Sequence, residues 1–202
     1  INAGTKASDA LTEFTRVTNF PITSTLQGLG AFPGSDPQFL GMLGMHGTYE
    51  ANNAMHECDL MINVGARFDD RITGRVDAFS PNSKKIHIDI DPSSINKIVK
   101  VDVAIVGDCL SVLNDMLTTL KNKHSDFCNS NKEKISDWWK QINKWREKKS
   151  LSYKHDDKLI MPQYAVERLY ELTKNKDTFI TTEVGQHQMW AAQYYKFDKP
   201  NR

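Results

Sequence analysis

The sequence predicts an α/β protein built on a parallel, doubly wound sheet, and three observations carry that reading. Short apolar strands alternate with stretches of helical periodicity along most of the 202 residues, the pattern of βαβ units with right-handed crossovers. One apolar run, Leu60-Met61-Ile62-Asn63-Val64, breaks at Gly65 into Ala66-Arg67-Phe68-Asp69-Asp70-Arg71-Ile72-Thr73-Gly74. A buried parallel strand ends that way when its C-terminal tip carries a binding site. The next strand, Lys85–Ile90, closes on an acid, Asp89, 24 residues beyond Gly65, the spacing at which a strand-tip carboxylate accepts from a ribose hydroxyl.

From the N-terminus, Ala7, Ala10, Leu11, Phe14 and Val17 recur at helical spacing, so residues 6–18 read as an amphipathic helix. Pro21–Leu26 reads as a short strand that runs into Gly28-Leu29-Gly30, and Gly34-Ser35-Asp36-Pro37 is turn chemistry. Gly41–Gly47 is punctuated by glycines and carries Met45 and His46, and Ala51, Ala54 and Met55 suggest a short helix before the strand at 60–64. In Lys85–Ile90 the three isoleucines share a face, and Asp91-Pro92 ends the strand. Val103–Val106 is a further strand closed by Gly107-Asp108, and Leu110, Leu113, Leu117 and Leu120 form a helical stripe.

Residues 121–149 change character, with nine Lys/Arg against four Asp/Glu, and Ile135, Trp138, Ile142 and Trp145 on one stripe. Either this is a basic nucleic-acid helix, or it is a solvated linker helix whose aromatic face packs on a neighbour; the second is the commoner use of such a charge run. Met161-Pro162 opens a second unit with a helix to about Leu172, a strand Thr178–Thr182, and a turn Glu183-Val184-Gly185-Gln186-His187 before the apolar Met189-Trp190-Ala191-Ala192.

Composition excludes several classes. A formal net charge of +1 gives no overall pull toward nucleic acid or an anionic membrane. No apolar run reaches the ~20 residues of a membrane span, and no basic start with an apolar stretch marks a secretory signal. Cys58, Cys109 and Cys128 are scattered and odd in number, which argues for a reducing compartment. Metal-ligand spacings, a nucleophile elbow, a phosphate loop and the G-x-G-x-x-G of nicotinamide enzymes are all missing. The chain opens at Ile1 without methionine and ends just inside a new α/β unit, and is read as an internal piece of a longer polypeptide.

Each motif has a plain alternative. Arg67 and Arg71 suit phosphate oxygens, or they are surface partners of Asp69 and Asp70. Asp89 meets a ribose, while Asp91 stands ready to cap the following helix. His46 stacks on a flat ring or is a hydrogen-bonded structural residue. Gly185-Gln186-His187 offers amides to an anionic group at a helix start, or is a simple cap.

Together these strings resemble the acetohydroxyacid synthase (acetolactate synthase) family of thiamine-diphosphate enzymes, at the level of its large catalytic subunit. The matching pieces are Thr25-Leu26-Gln27-Gly28-Leu29-Gly30, Gly41–Gly47, Val64–Gly74, Val106-Gly107-Asp108 and Gly185–Ala192, and they leave only the basic linker undistinctive. The resemblance implies a central six-stranded Rossmann-like sheet over 1–122 that holds FAD, a linker over 123–160, and the start of a thiamine-diphosphate domain over 161–202. It places Thr25, Leu26, Met45, His46, Gly47, Gly65, Arg67, Asp69, Arg71, Asp89, Ile90 and Asp108 along the FAD, and Val184, Gly185, Gln186 and His187 on thiamine diphosphate. Met45 and Asp70 fall near the mouth where the family's herbicides bind.

The family decarboxylates pyruvate on thiamine diphosphate and joins the two-carbon unit to pyruvate or 2-ketobutyrate, in branched-chain amino-acid synthesis, with no net redox change at the flavin. Its Mg²⁺ ligands are expected beyond Arg202 and its activating glutamate before Ile1. No catalytic or metal residue is therefore assigned within this chain, Glu183 included, and the segment alone is expected to be inactive. A homodimer or homotetramer, a small regulatory subunit, no nucleic acid, no membrane, and a cytoplasmic or (in a eukaryote) organellar site complete the expectation. The alternatives are a glyoxylate carboligase-like or oxidase-type relative, or a free-standing nucleotide-binding regulatory module.

Overall fold

A computed structural model describes residues 5–202, with the side chains of Thr5 and Cys128 left aside; residues 1–4, where the first domain is taken to begin, lie outside them. Helix α1 (Thr5–Thr18) leads to strand β1 (Ile22–Ser24), a 3₁₀ turn at Leu26–Gly28, and β2 (Phe39–Met42). Then come α2 (Tyr49–Glu57), β3 (Leu60–Val64), the single turn α3 (Asp70–Thr73), β4 (Lys84–Asp89), β5 (Val103–Val106) and α4 (Cys109–Lys123). The chain continues through α5 (Phe127–Ser130), α6 (Lys132–Arg146), α7 (Pro162–Thr173) and α8 (Gln186–Tyr194).

Among the described residues five strands form two parallel sheets, ordered β1-β2 and β3-β4-β5. The parallel α/β class is as expected, while the six-strand count is not met. Within the larger sheet Val64 pairs with Ile88, and Asp89 with Val106, so three C-terminal tips lie side by side. One helical layer serves both sheets. Ala10, Leu11 and Phe14 of α1 form a buried cluster with Phe32 and with Leu113 and Leu117 of α4. Ile22 and Phe39 of one sheet and Ile62 and Val64 of the other pack against it. Burial of such side chains, about 1.5–3 kcal/mol each, is the main term holding the layers together.

Local chemistry sets the element ends. Thr48 caps α2, its hydroxyl accepting from the Ala51 amide at 3.1 Å and donating to the Leu40 carbonyl at 2.6 Å. The Asp108 carboxylate accepts from the Ser111 amide at the start of α4, and Pro162 sits in the first turn of α7, where its missing N–H costs nothing. Strand β2 escapes a reading by alternation, because Phe39-Leu40-Gly41-Met42 is short and interrupted by glycine.

One expectation is corrected in the C-terminal part. Residues 178–182 do not form a strand. They have the composition for one, but no neighbouring strand completes their hydrogen bonds, and Phe179 stays 64 % exposed. The helix α7 forms as expected; its Leu169 and Leu172 face solvent, and it leans on the end of α8 through Tyr170 against Tyr195. The basic stretch resolves toward its plainer reading. In α6, Ile142 is fully buried against Leu40, Ala51 and Ala54, flanked by Trp138, Trp139 and Trp145. Trp139 donates to the Asn19 carbonyl at 2.9 Å and Arg146 to the Pro37 carbonyl at 2.8 Å, so α6 is part of the first unit's wall. Partial burial holds the Arg146 pKa below its usual value.

Candidate functional site

The site is built from strand ends. Thr25 and Leu26 follow β1; Met45, His46 and Gly47 follow β2; Gly65, Arg67, Asp69 and Arg71 follow β3; Asp89 and Ile90 close β4; Asp108 follows β5. The two sheets present these tips at the same end, because the Met45 amide donates to the Arg71 carbonyl at 2.9 Å, tying the loop after β2 to α3. Next to it the Leu43 amide donates to the Ser24 carbonyl, which brings in the tip of β1. In open α/β sheets, ligands bind outside the carboxyl ends of the strands.

Two residues that sequence reasoning passed over shape these turns. Asn63, buried in β3, donates from its amide to the Ala66 carbonyl at 2.7 Å and accepts from the Ala66 amide at 3.1 Å, closing the turn around Gly65. Asn52 of α2 brackets Gly44 in the same way, accepting from its amide at 2.8 Å and donating to its carbonyl at 3.0 Å. The signal was present for Asn63, as a lone polar residue inside an apolar strand. Asn52 gave none.

The charged groups differ in how firmly they are held. The Arg67–Asp69 and Arg71–Asp70 pairs are 3.9 and 3.6 Å apart and largely solvent-exposed. Such pairs are weak, and they leave the guanidinium forks with donors to spare. Asp89 is held firmly: buried, with its Oδ1 accepting from the Asp91 amide at 2.9 Å. Asp91 takes the capping role, accepting from the Ser93 amide and hydroxyl, and those bonds hold its carboxyl below the usual range. The roles of the two acids are thereby divided: Asp89 is the tip acid and Asp91 caps the turn. Asp108 spends Oδ1 on its cap. Around these groups Met45 and Ile90 are 64 % and 71 % exposed, and Val106 59 %. Apolar side chains held open between arginines and carboxylates suit a flat aromatic ring bearing phosphate and hydroxyl groups.

The second set lies at the start of α8. Val184, Gly185, Gln186 and His187 are exposed, and Gly185 stands at the helix N-cap without a side-chain cap. First-turn amides left that way accept an anion. The far end of α8 reaches the first unit: Gln193 donates from Nε2 to the His46 carbonyl at 2.9 Å. Two cavities lie elsewhere, one of about 210 Å³ between Val17, Leu120 and Phe127, the other of about 320 Å³ along His155–Met161 and Tyr164. Beside the second, Tyr153 donates to Glu167, which pushes its phenol up to about 12. Cys58, half buried against Ser80, has its thiol pKa raised by burial. Among the described residues, no helix is long and apolar enough to cross a membrane, and no group of three or more His, Cys, Asp or Glu is arranged to hold a metal.

The fold is a parallel α/β domain whose strand tips gather charged and apolar groups at one end. Residues 2–116 match the family model of the thiamine pyrophosphate enzyme central domain, and the chain belongs to that family. The chain is 47% identical over 195 residues to the acetolactate synthase large subunit of Haemophilus influenzae, which covers 96% of this chain and 33% of that protein. It is 48% identical over 192 residues to the acetolactate synthase isozyme 3 large subunit of Escherichia coli, covering 95% and 33%. Against acetolactate synthase large subunit IlvB1 of Mycobacterium tuberculosis it is 42% identical over 196 residues, covering 96% and 31%. The chain thus spans about a third of the length of the curated relatives it matches.

Proposed function

We propose that this chain is the FAD-holding core, and the opening of the thiamine-diphosphate domain, of an acetolactate synthase large subunit. The observation that carries the reading is positional. Every residue assigned to FAD lies at or just after a strand's C-terminal end, and the Met45–Arg71 bond draws the tips of both sheets together. The three boundaries (1–122, 123–160, 161–202) are kept, with α6 as a linker helix docked on the first unit.

In this reading Arg67 and Arg71 hold the pyrophosphate of FAD with charge-assisted forks, and Asp89 accepts from the ribose. Thr25, Leu26, Met45, His46, Gly47, Gly65, Asp69 and Ile90 line the remainder, with Asp108 toward the adenine. Val184, Gly185, Gln186 and His187 would touch the diphosphate of thiamine diphosphate. That cofactor, when bound with Mg²⁺ on residues outside this chain, supplies the electron sink for decarboxylating a 2-ketoacid. The residues present here bind and orient; no proton-transfer step is assigned to them. Pyruvate, with pyruvate or 2-ketobutyrate as acceptor, would be the substrate of a dimer or larger assembly, with a small regulatory subunit as a further partner.

The test is flavin content in the full-length polypeptide that carries this segment, measured beside acetolactate formation. One FAD per chain is expected. Arg67→Ala should weaken its retention roughly tenfold or more, the loss expected for one bond to a charged group. Carboligation by a wild-type protein that holds no flavin, or flavin content indifferent to Arg67→Ala, overturns the assignment. Flavin binding with no carboligation would instead favour a nucleotide-binding module.

A further inference from the structure

His87 is the most deeply buried titratable side chain near the strand tips, and none of the roles above uses it. It is wholly inaccessible, and neither ring nitrogen has a hydrogen-bond partner. Leaving a buried donor and acceptor both unmet is costly, and such a group calls for a function. Its neighbours suggest one. His87 and Asp89 stand two apart on β4 and so share a face. His87 Nε2 lies 3.7 Å from Asp89 Oδ2, the oxygen not already taken by the Asp91 amide. The imidazole also meets the Phe68 ring edge-on, centroids 5.1 Å apart, and Phe68 in turn packs edge-on against Phe79. Phe68 is buried at φ +56, so it anchors the Arg67–Asp69 loop in a conformation a bulky residue rarely adopts.

We propose that His87 is a positioning residue of the nucleotide site. Its ring packs on Phe68, and on nucleotide binding its Nε2–H closes the 3.7 Å gap to donate to Asp89 Oδ2 and hold that carboxylate toward the ribose. The inference rests on the FAD reading above and adds to it the residue that aims the ribose acid. A donor beneath the carboxylate, together with the Asp91 amide, fixes which oxygen face is presented to the ligand.

Two substitutions separate bracing from aiming. His87→Phe keeps an aromatic ring against Phe68 and removes the donor. His87→Gln keeps an N–H donor and removes the ring. In the full-length protein stripped of flavin, FAD titrated by quenching of its fluorescence should bind about tenfold more weakly to His87→Phe. The thermal midpoint of that variant should be equal or higher, since an apolar ring replaces an unmet polar one. His87→Gln should bind FAD within about threefold of wild type. Asp89→Asn should lose affinity as His87→Phe does, and the double variant should lose little more, as two residues acting through one contact require. Wild-type affinity in His87→Phe beside weak binding in Asp89→Asn overturns the role of His87 and leaves the flavin reading standing. Failure of the wild-type protein to bind FAD overturns the flavin reading itself. If His87→Phe does not fold, weak binding by a folded His87→Gln overturns the proposal, and retained binding supports it.

Discussion

Gly44→Ala is the sharpest test of how the tip cluster is assembled. Gly44 has φ +89, and a Cβ there would lie 2.3 Å from the Arg71 carbonyl oxygen and 3.1 Å from the Ile72 Cα. Both are backbone atoms, so nothing flexible can yield. Placing alanine at this φ costs about 1 kcal/mol, and pushing α3 away breaks the Met45–Arg71 bond, worth about 1 kcal/mol more. Residual overpacking adds at least another ~1 kcal/mol. A loss of about 3–4 kcal/mol corresponds to a fall of roughly 10 °C in the melting midpoint for a chain of this size. The control is Gly74→Ala, where φ is +55 and ψ −125 but nothing lies within 4 Å, so backbone strain lowers its melting point while the contact between the sheets is untouched. Calorimetry on both variants reads the difference, and FAD retention should weaken in Gly44→Ala alone. FAD retention in Gly44→Ala equal to that in Gly74→Ala would refute the argument that close approach of α3 joins the two sheets.

The same geometry fixes two further outcomes. Ile142→Ala should destabilise by about 2–5 kcal/mol in a urea melt, because α6 is docked on α2 through that side chain; a surface linker helix would tolerate it. Asp102 accepts from the Lys84 ammonium at 2.8 Å and from the Lys85 amide at 2.9 Å, and these bonds hold its carboxyl below the ordinary 3.8. Its folded value is depressed, so its contribution is present above 3.8 and is lost as pH falls through the lower folded value. Asp102→Asn should therefore flatten the acid limb of a stability profile taken from about pH 5 down to about pH 2.

The legible features of the sequence were those that repeat with a period or break one. The apolar run at 60–64 with its abrupt glycine, the strand at 84–89 and the leucine stripe of α4 all sit where their patterns place them. So does the aromatic stripe of α6, whose partner α2 could not be read, because packing between helices roughly 80 residues apart leaves no local mark. Strand β2 lacked alternation. Residues 178–182 failed in the opposite direction: β-branched composition licenses a strand, but a strand is made by its neighbour. In the site, residue types were legible and their supports were not. Asn52 works by reaching a backbone across a loop, and His87 was counted only as part of an alternating strand, though its face of β4 is as buried as the isoleucine face.

Glycines in a motif invite the reading that a ligand comes close, but several glycines of this chain are crowded by the chain itself. Gly30, beside residues assigned to FAD, has φ +81, and a Cβ on it would stand 2.0 Å from the Lys199 carbonyl oxygen. The Gly34 amide donates to the Phe197 carbonyl at 2.8 Å, and the Ser35 amide to Asp198 Oδ1 at 2.8 Å. These glycine and turn positions admit the segment after α8 rather than a cofactor. Gly47 likewise is crowded by the Met42 carbonyl, at 2.5 Å from its notional Cβ. The segment 193–200 therefore meets the loops after β1 and β2 through one backbone bond, Gly34 to Phe197, and two side-chain bonds, Ser35 to Asp198 and Gln193 to His46. The far end of α8 and the segment after it are thereby tied to the loops after β1 and β2, and a side chain at Gly30 would push that segment away.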